Sequence, residues 1–190
     1  MRLARLGNLV VWIVLATSCD KAATNDDVRA TAQQVVAALA THDMAGVASV
    51  VDSARGLRFS PYAFVDTTSD HVVDVRDVAT LWGKADSLKW GVYDGSGEPI
   101  ILPYSSYHTK FVYDVDFMRA PRIVVDSAPI GRGNTTNNIA AVYRGASVVE
   151  YHLPTDSTND PMTWRSLWLV FTKTRTRWSL IGVVHGAWTS

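Results

Sequence analysis

The chain has 190 residues, 47% of them hydrophobic, enough to enclose the core of one ordinary domain. Its 18 basic and 18 acidic residues balance and form no basic stripe, which argues against nucleic acid as a partner. A single cysteine, Cys19, excludes an intramolecular disulfide.

Arg2 and Arg5 precede an unbroken apolar run over residues 9–16, and the small residues Thr17 and Ser18 follow it. That order of charge, apolar core and small-residue site predicts a signal peptide over residues 1–18. A bilayer-spanning helix needs ~20 apolar residues. This run stops at Thr17, ahead of the hydrophilic Asp20, Lys21, Asn25, Asp26 and Asp27. Ala16-Thr17-Ser18-Cys19 resembles the lipobox of bacterial lipoproteins, in which lipidation consumes a thiol that would be a liability in an oxidising compartment. The resemblance implies lipidation at Cys19 and a chain anchored in a cell membrane, facing the periplasm or the cell exterior. One acyl chain binds membranes with an association constant of only about 10⁴ M⁻¹, so the several chains carried by bacterial lipoproteins imply a lasting tether. Without residues 1–18 the chain keeps 16 basic and 18 acidic residues.

Residues 19–25 then read as a tether and 26–190 as a single α+β domain. A helix is expected to start near Asn25 as N-cap, with Asp26 and Asp27 in its first turn. Val28, Ala32, Val35, Val36 and Leu39 make one apolar stripe at helical spacing. Asp43 fits the cap of a second short helix through Val50, and Asp74 that of a third holding Val78, Leu81 and Trp82. Between them, residues 56–65 read as an irregular extended segment. From Leu88 the texture is β-like, with residues 89–93 and 99–102 flanking the turn-rich Asp94-Gly95-Ser96-Gly97. Residues 105–112 read as a helix and 122–126 as a strand. A polar loop over 131–138 leads into a helical turn ending near Tyr143. Residues 146–153, 163–173 and 177–188 read as three closing strands.

If Thr174-Arg175-Thr176 closes the last hairpin as a three-residue loop, Lys173 faces Arg177, Trp168 faces Gly182 and Arg165 faces His185. One sheet face then carries Trp164, Trp168, Val170, Trp178, Leu180, Val184 and Trp188. The other carries Arg165, Leu167, Leu169, Phe171, Ile181, Val183 and His185. Both faces are largely apolar, so both are expected to be covered.

Helices first and a strongly paired C-terminal sheet after them is an α+β order. It resembles the nuclear transport factor 2-like fold, which implies N-terminal helices packed on a curved antiparallel sheet in a cone. Arg177-Trp178-Ser179-Leu180, leading to His185 and Trp188-Thr189, resembles the way many members of that superfamily end. The chain is also similar to a group of uncharacterised bacterial proteins. The similarity lies in Gly56-Leu57-Arg58-Phe59-Ser60-Pro61-Tyr62, Trp90-Gly91-Val92-Tyr93-Asp94-Gly95-Ser96-Gly97, Phe111-Val112-Tyr113-Asp114, residues 133–138, residues 149–152 and residues 164–167. The chain departs from that group at Gly186 and Trp168, where an acidic and a basic residue are expected. This similarity implies a family and a fold, and no activity.

Glu150 and His152 alternate along one expected strand and so share a face. A carboxylate beside an imidazole can do acid–base work, supply two metal ligands, or form a hydrogen-bonded pair in a core or groove. Zinc catalysis usually takes three protein ligands, and no metal or cofactor is expected. Arg165 opposite His185 offers a fork for carboxylate or phosphate, or else two side chains snorkelling at the sheet end. Asp94, Asp114 and Asp116 fit turns and caps, with Asp114 a candidate acid. The 131–138 loop lacks the Lys-Ser/Thr pair of a P-loop, and no serine sits in a Gly-x-Ser-x-Gly elbow. The first expectation is therefore a non-catalytic domain that binds a small ligand or a protein partner, with Glu150, His152, Arg165 and His185 as candidate pocket residues. The alternatives are a small hydrolase or isomerase using Glu150, His152 or Asp114 as base, and a structural envelope protein with no pocket.

Overall fold

The computed structural model describes residues 24–155 and 162–189. The expected signal peptide, Cys19 and most of the tether lie outside the described residues. Among the described residues, no helix is long and apolar enough to cross a membrane.

The chain opens with helices α1 (Asn25–Ala40) and α2 (Met44–Val50). Thr24, rather than Asn25, caps α1: its backbone N–H donates to Asp27, and its hydroxyl accepts from the Asp27 N–H. This reciprocal closure satisfies two helix-end donors at once, and it starts the helix within the expected tether. All five stripe residues of α1 are buried, and Asp43 caps α2 by accepting from the Gly46 N–H at 2.9 Å.

Strands β1 (Leu57–Ser60) and β2 (Val72–Val73) follow, then helix α3 (Val75–Val78), capped by Asp74. The third helix expected over Val78, Leu81 and Trp82 is split. The Thr80 N–H closes tightly on Asp77 O, and a separate 3₁₀ turn forms over Leu81–Gly83. Strands β3 (Leu88–Val92) and β4 (Pro99–Leu102) pair with each other and precede helix α4 (Tyr104–Phe111). Strand β5 (Arg122–Val125), the short helix α5 (Ile139–Val142), and strands β6 (Ser147–Leu153), β7 (Arg165–Lys173) and β8 (Trp178–Ala187) complete the order.

The main sheet has six strands in the order β2-β1-β8-β7-β6-β5. It is not wholly antiparallel as expected, because β1 runs parallel to β8 while the other neighbours are antiparallel. Most of the chain separates β1 from β8, so no tight turn constrains their relative direction.

The final hairpin also departs from the expected register. Lys173 pairs with Trp178 across residues 174–177, a loop held by the Thr174 N–H on Arg177 O and by the Arg177 N–H on the Thr174 hydroxyl. A bulge at Ile181 then shifts the pairing again: Phe171 faces Leu180, whereas Val170 faces Gly182. Beyond it Trp168 faces Val184, Leu167 faces His185 and Arg165 faces Ala187. The two slips add to an even number, so Val183, Val184 and His185 keep the faces expected of them. The turn-proximal residues do not. Trp178 and Leu180 join Leu167, Leu169 and Phe171 in the main core, and Ile181 joins Trp164, Trp168, Val170 and Val184 on the opposite face.

Both faces are covered. The main core lies between the sheet, α1, α2 and an aromatic group in which Trp90 stacks on Tyr107 at 4.4 Å and meets Phe59 edge-on. Trp90 also donates its indole N–H to Leu102 O at 2.8 Å, which binds the β3–β4 hairpin to that core. The smaller cluster is roofed by Ala63, Val65 and Ile139.

Candidate functional site

Glu150 and His152 lie on β6 and share a face, but they meet through a third residue. Ser166, opposite His152 on β7, donates its hydroxyl to Glu150 Oε1 at 2.7 Å. Its one proton being spent, the 2.9 Å contact from His152 Nδ1 to Ser166 Oγ requires the imidazole to donate. Glu150 also accepts the backbone N–H groups of Ile130 (2.8 Å) and Gly131 (2.9 Å). Its carboxylate thus holds the 127–138 loop against the sheet. Burial lowers the His152 pKa, against the raising influence of Glu150. Glu150 borders a cavity of about 60 Å³ with Val124, Ile139 and Trp168, room for water but not for a substrate.

Arg165 and His185 lie on the other face of the sheet and converge on Asp114. Arg165 Nε donates to Asp114 Oδ2 at 2.6 Å, and His185 Nε2 stands 3.0 Å from Oδ1. Burial pushes the Asp114 carboxyl up, but His185 and Arg165 outweigh it and hold the group below its ordinary range. An ionised carboxylate only accepts, so Nε2 of His185 carries the proton. The bridge does not need Arg165 to face His185 directly; two residues on the same face suffice. The four expected pocket residues therefore form two networks on opposite sides of the sheet, the Glu150–His152 one buried and the Arg165–His185 one partly exposed at Arg165.

A cleft of about 390 Å³ opens elsewhere, between the segment after β1 and the β3–β4 turn. Pro61, Tyr62 and Phe64 form one side, Tyr93 and Asp94 the other, and Asp66 and Asp70 its acidic end. Local chemistry shapes each wall. The Asp66 carboxylate accepts from the Thr68 N–H and from the Thr68 and Ser69 hydroxyls, which holds its pKa at about 2. The Asp66 N–H in turn donates to Asp70 Oδ2 at 2.9 Å. Asn138 clamps Val65 by bonding both its N–H and its carbonyl. On the opposite wall, Thr135 donates to Asp94 Oδ2 at 3.2 Å and so ties the 131–138 loop to the turn.

Asp70 is the unusual member. It is 8% exposed, and Arg58 reaches its main-chain carbonyl at 3.1 Å rather than its carboxylate. Burial pushes its carboxyl up to about 6, despite opposing hydrogen bonds. Its position depends on Gly91, where φ is +149° and a Cβ would stand 3.2 Å from Asp70 Oδ1. Sequence reasoning missed this acid, because Asp66-Thr67-Thr68-Ser69-Asp70 reads as ordinary turn chemistry. The one signal pointing here was the pairing of aromatic residues with turns at Pro61-Tyr62 and Tyr93-Asp94-Gly95.

The chain matches no protein family, no curated protein and no solved structure.

Proposed function

We propose that this chain is an exported lipoprotein, tethered to a cell membrane through Cys19, whose α+β domain binds a small ligand in the Tyr62–Tyr93 cleft. The cleft carries the binding reading. It is open, walled by aromatic rings, and holds a desolvated acid at one end, the combination expected of a small-molecule site. A non-catalytic role is favoured over acid–base chemistry by the commitments of the other acids. Glu150 accepts from three donors and Asp114 bridges two side chains, so both are engaged in holding the fold together.

The tether is supported by the order of residues 1–19. The finer fold reading, a nuclear transport factor 2-like cone, is supported by two leading helices set against a sheet whose last three strands are its longest.

Two experiments test the proposal. Cys19→Ala should abolish incorporation of labelled palmitate and leave the precursor unprocessed; normal labelling would end the lipoprotein reading. Native mass spectrometry of the purified chain should show a retained small-molecule mass, which Tyr93→Leu should reduce.

A further inference from the structure

We infer that the cleft takes a small organic cation, an alkylammonium group, with the Asp70 carboxylate as counter-charge and the Tyr62 and Tyr93 rings as walls. This rests on the binding reading above and adds the chemical class of the ligand.

Charge comes first. The residues lining the cleft include Asp66, Asp70 and Asp94 and no basic side chain. Two of these acids are already engaged: Asp66 by Thr68 and Ser69 of its own turn, Asp94 by the Gly95 N–H and Thr135. Asp70 also accepts the Asp66 N–H, but it is buried and forms no ion pair among the described residues. A desolvated carboxylate is costly until a positive group stands beside it. An anionic ligand would meet like charge, and an apolar one would leave Asp70 dry and unpaired. Arg58 acts on Asp70 from a distance, bonding its main-chain carbonyl, and a cation in the cleft would add the close counter-charge that a neutral donor cannot.

The rings point the same way. Aromatic faces carry negative potential and attract ammonium groups. The chain already uses one of the two walls so, for Lys110 Nζ lies 4.9 Å from the Tyr93 centroid, and 5.3 Å from that of Phe111 behind it. Phe111 in turn contacts Tyr62 edge-on at 5.7 Å, which sets the two tyrosines on a common support.

The test titrates the purified full-length chain by calorimetry with choline, with ethanolamine, and with 3,3-dimethylbutan-1-ol, the uncharged carbon isostere of choline. At least one of the two cations should bind at least about tenfold more tightly than the isostere. Asp70→Asn should remove most of that preference without unfolding the chain, since the Asp66 N–H keeps an amide oxygen to bond. Tyr93→Leu should weaken cation binding several-fold. Equal binding of cations and isostere, or a preference that survives Asp70→Asn, overturns the inference. Isostere bound without either cation leaves the ligand-binding reading standing and removes only the cation. No binding of any probe, together with no retained mass in the native spectrum, removes both.

Discussion

A Cβ at Gly186 would lie 2.2 Å from Trp168 Cζ3 and 2.5 Å from Cη2, so the indole of Trp168 occupies the space that any side chain at 186 needs. These are the two positions where an acidic and a basic residue were expected. The departures are thus one arrangement: a ring has taken the volume of a diagonally placed side chain on the neighbouring strand. Gly186→Ala should cost about 1–3 kcal/mol in urea denaturation, the usual penalty of overpacking. Trp168→Leu in the same background should recover part of it, and simple additivity of the two changes would show that the residues are not coupled. Gly131 is a similar case, its missing side chain leaving room for Ser166 Oγ and Trp164. Parity along β6 was enough to place Glu150 and His152 on one face. It could not supply Ser166 as the link between them, nor Asp114 as the bridge from Arg165 to His185, because both partners arrive from other elements. Asp70 was hidden for the same reason, since the close approach of its carboxylate to Gly91 brings together segments separated along the chain.

Among the elements, those set by local periodicity were legible. The α1 stripe, the Asp43 and Asp74 caps and the long strands β6, β7 and β8 all lie within a few residues of their expected places. The two-residue strand β2 is too short to carry a pattern, and the parallel pairing of β1 with β8 has no local signature at all. The hairpin failed at one residue of loop length and one bulge. Cysteines at Thr172 and Ser179, which face each other, should cross-link readily under mild oxidation. Cysteines at Lys173 and Arg177, partners only if the loop had three residues, should lag; the reverse order would restore the shorter loop and abolish the slip at the turn.

Over the whole molecule, two buried groups oppose each other as pH changes. His108, 1% exposed, has its pKa lowered to about 4 by burial and by His42. The fold prefers it neutral, so its contribution is present above pH 6.5 and is lost as pH falls through 4. Asp70 behaves in the opposite sense: with a folded pKa of about 6, its contribution is present below 3.8 and is lost as pH rises through 6. Between about pH 4 and 6 the two slopes offset each other. Asp70→Asn removes one of them, so the variant should gain up to about 3 kcal/mol over the parent at pH 7 and under about 1 kcal/mol at pH 4. Chemical denaturation at the two pH values measures this difference, and an equal effect at both would show that Asp70 is not held protonated by burial.

The position of β8 bears on when the chain can fold. The strand made last lies inside the sheet, with β1 on one side and β7 on the other. A ribosome must therefore deliver residues up to Val184 before β1 can take its place beside β8. Long-range pairing of this kind is slow to form, so the sheet closes on its β1–β2 side only after β8 has been made. The same placement makes the loss of β8 damaging, because removing it would cut the sheet through its middle rather than trim its edge.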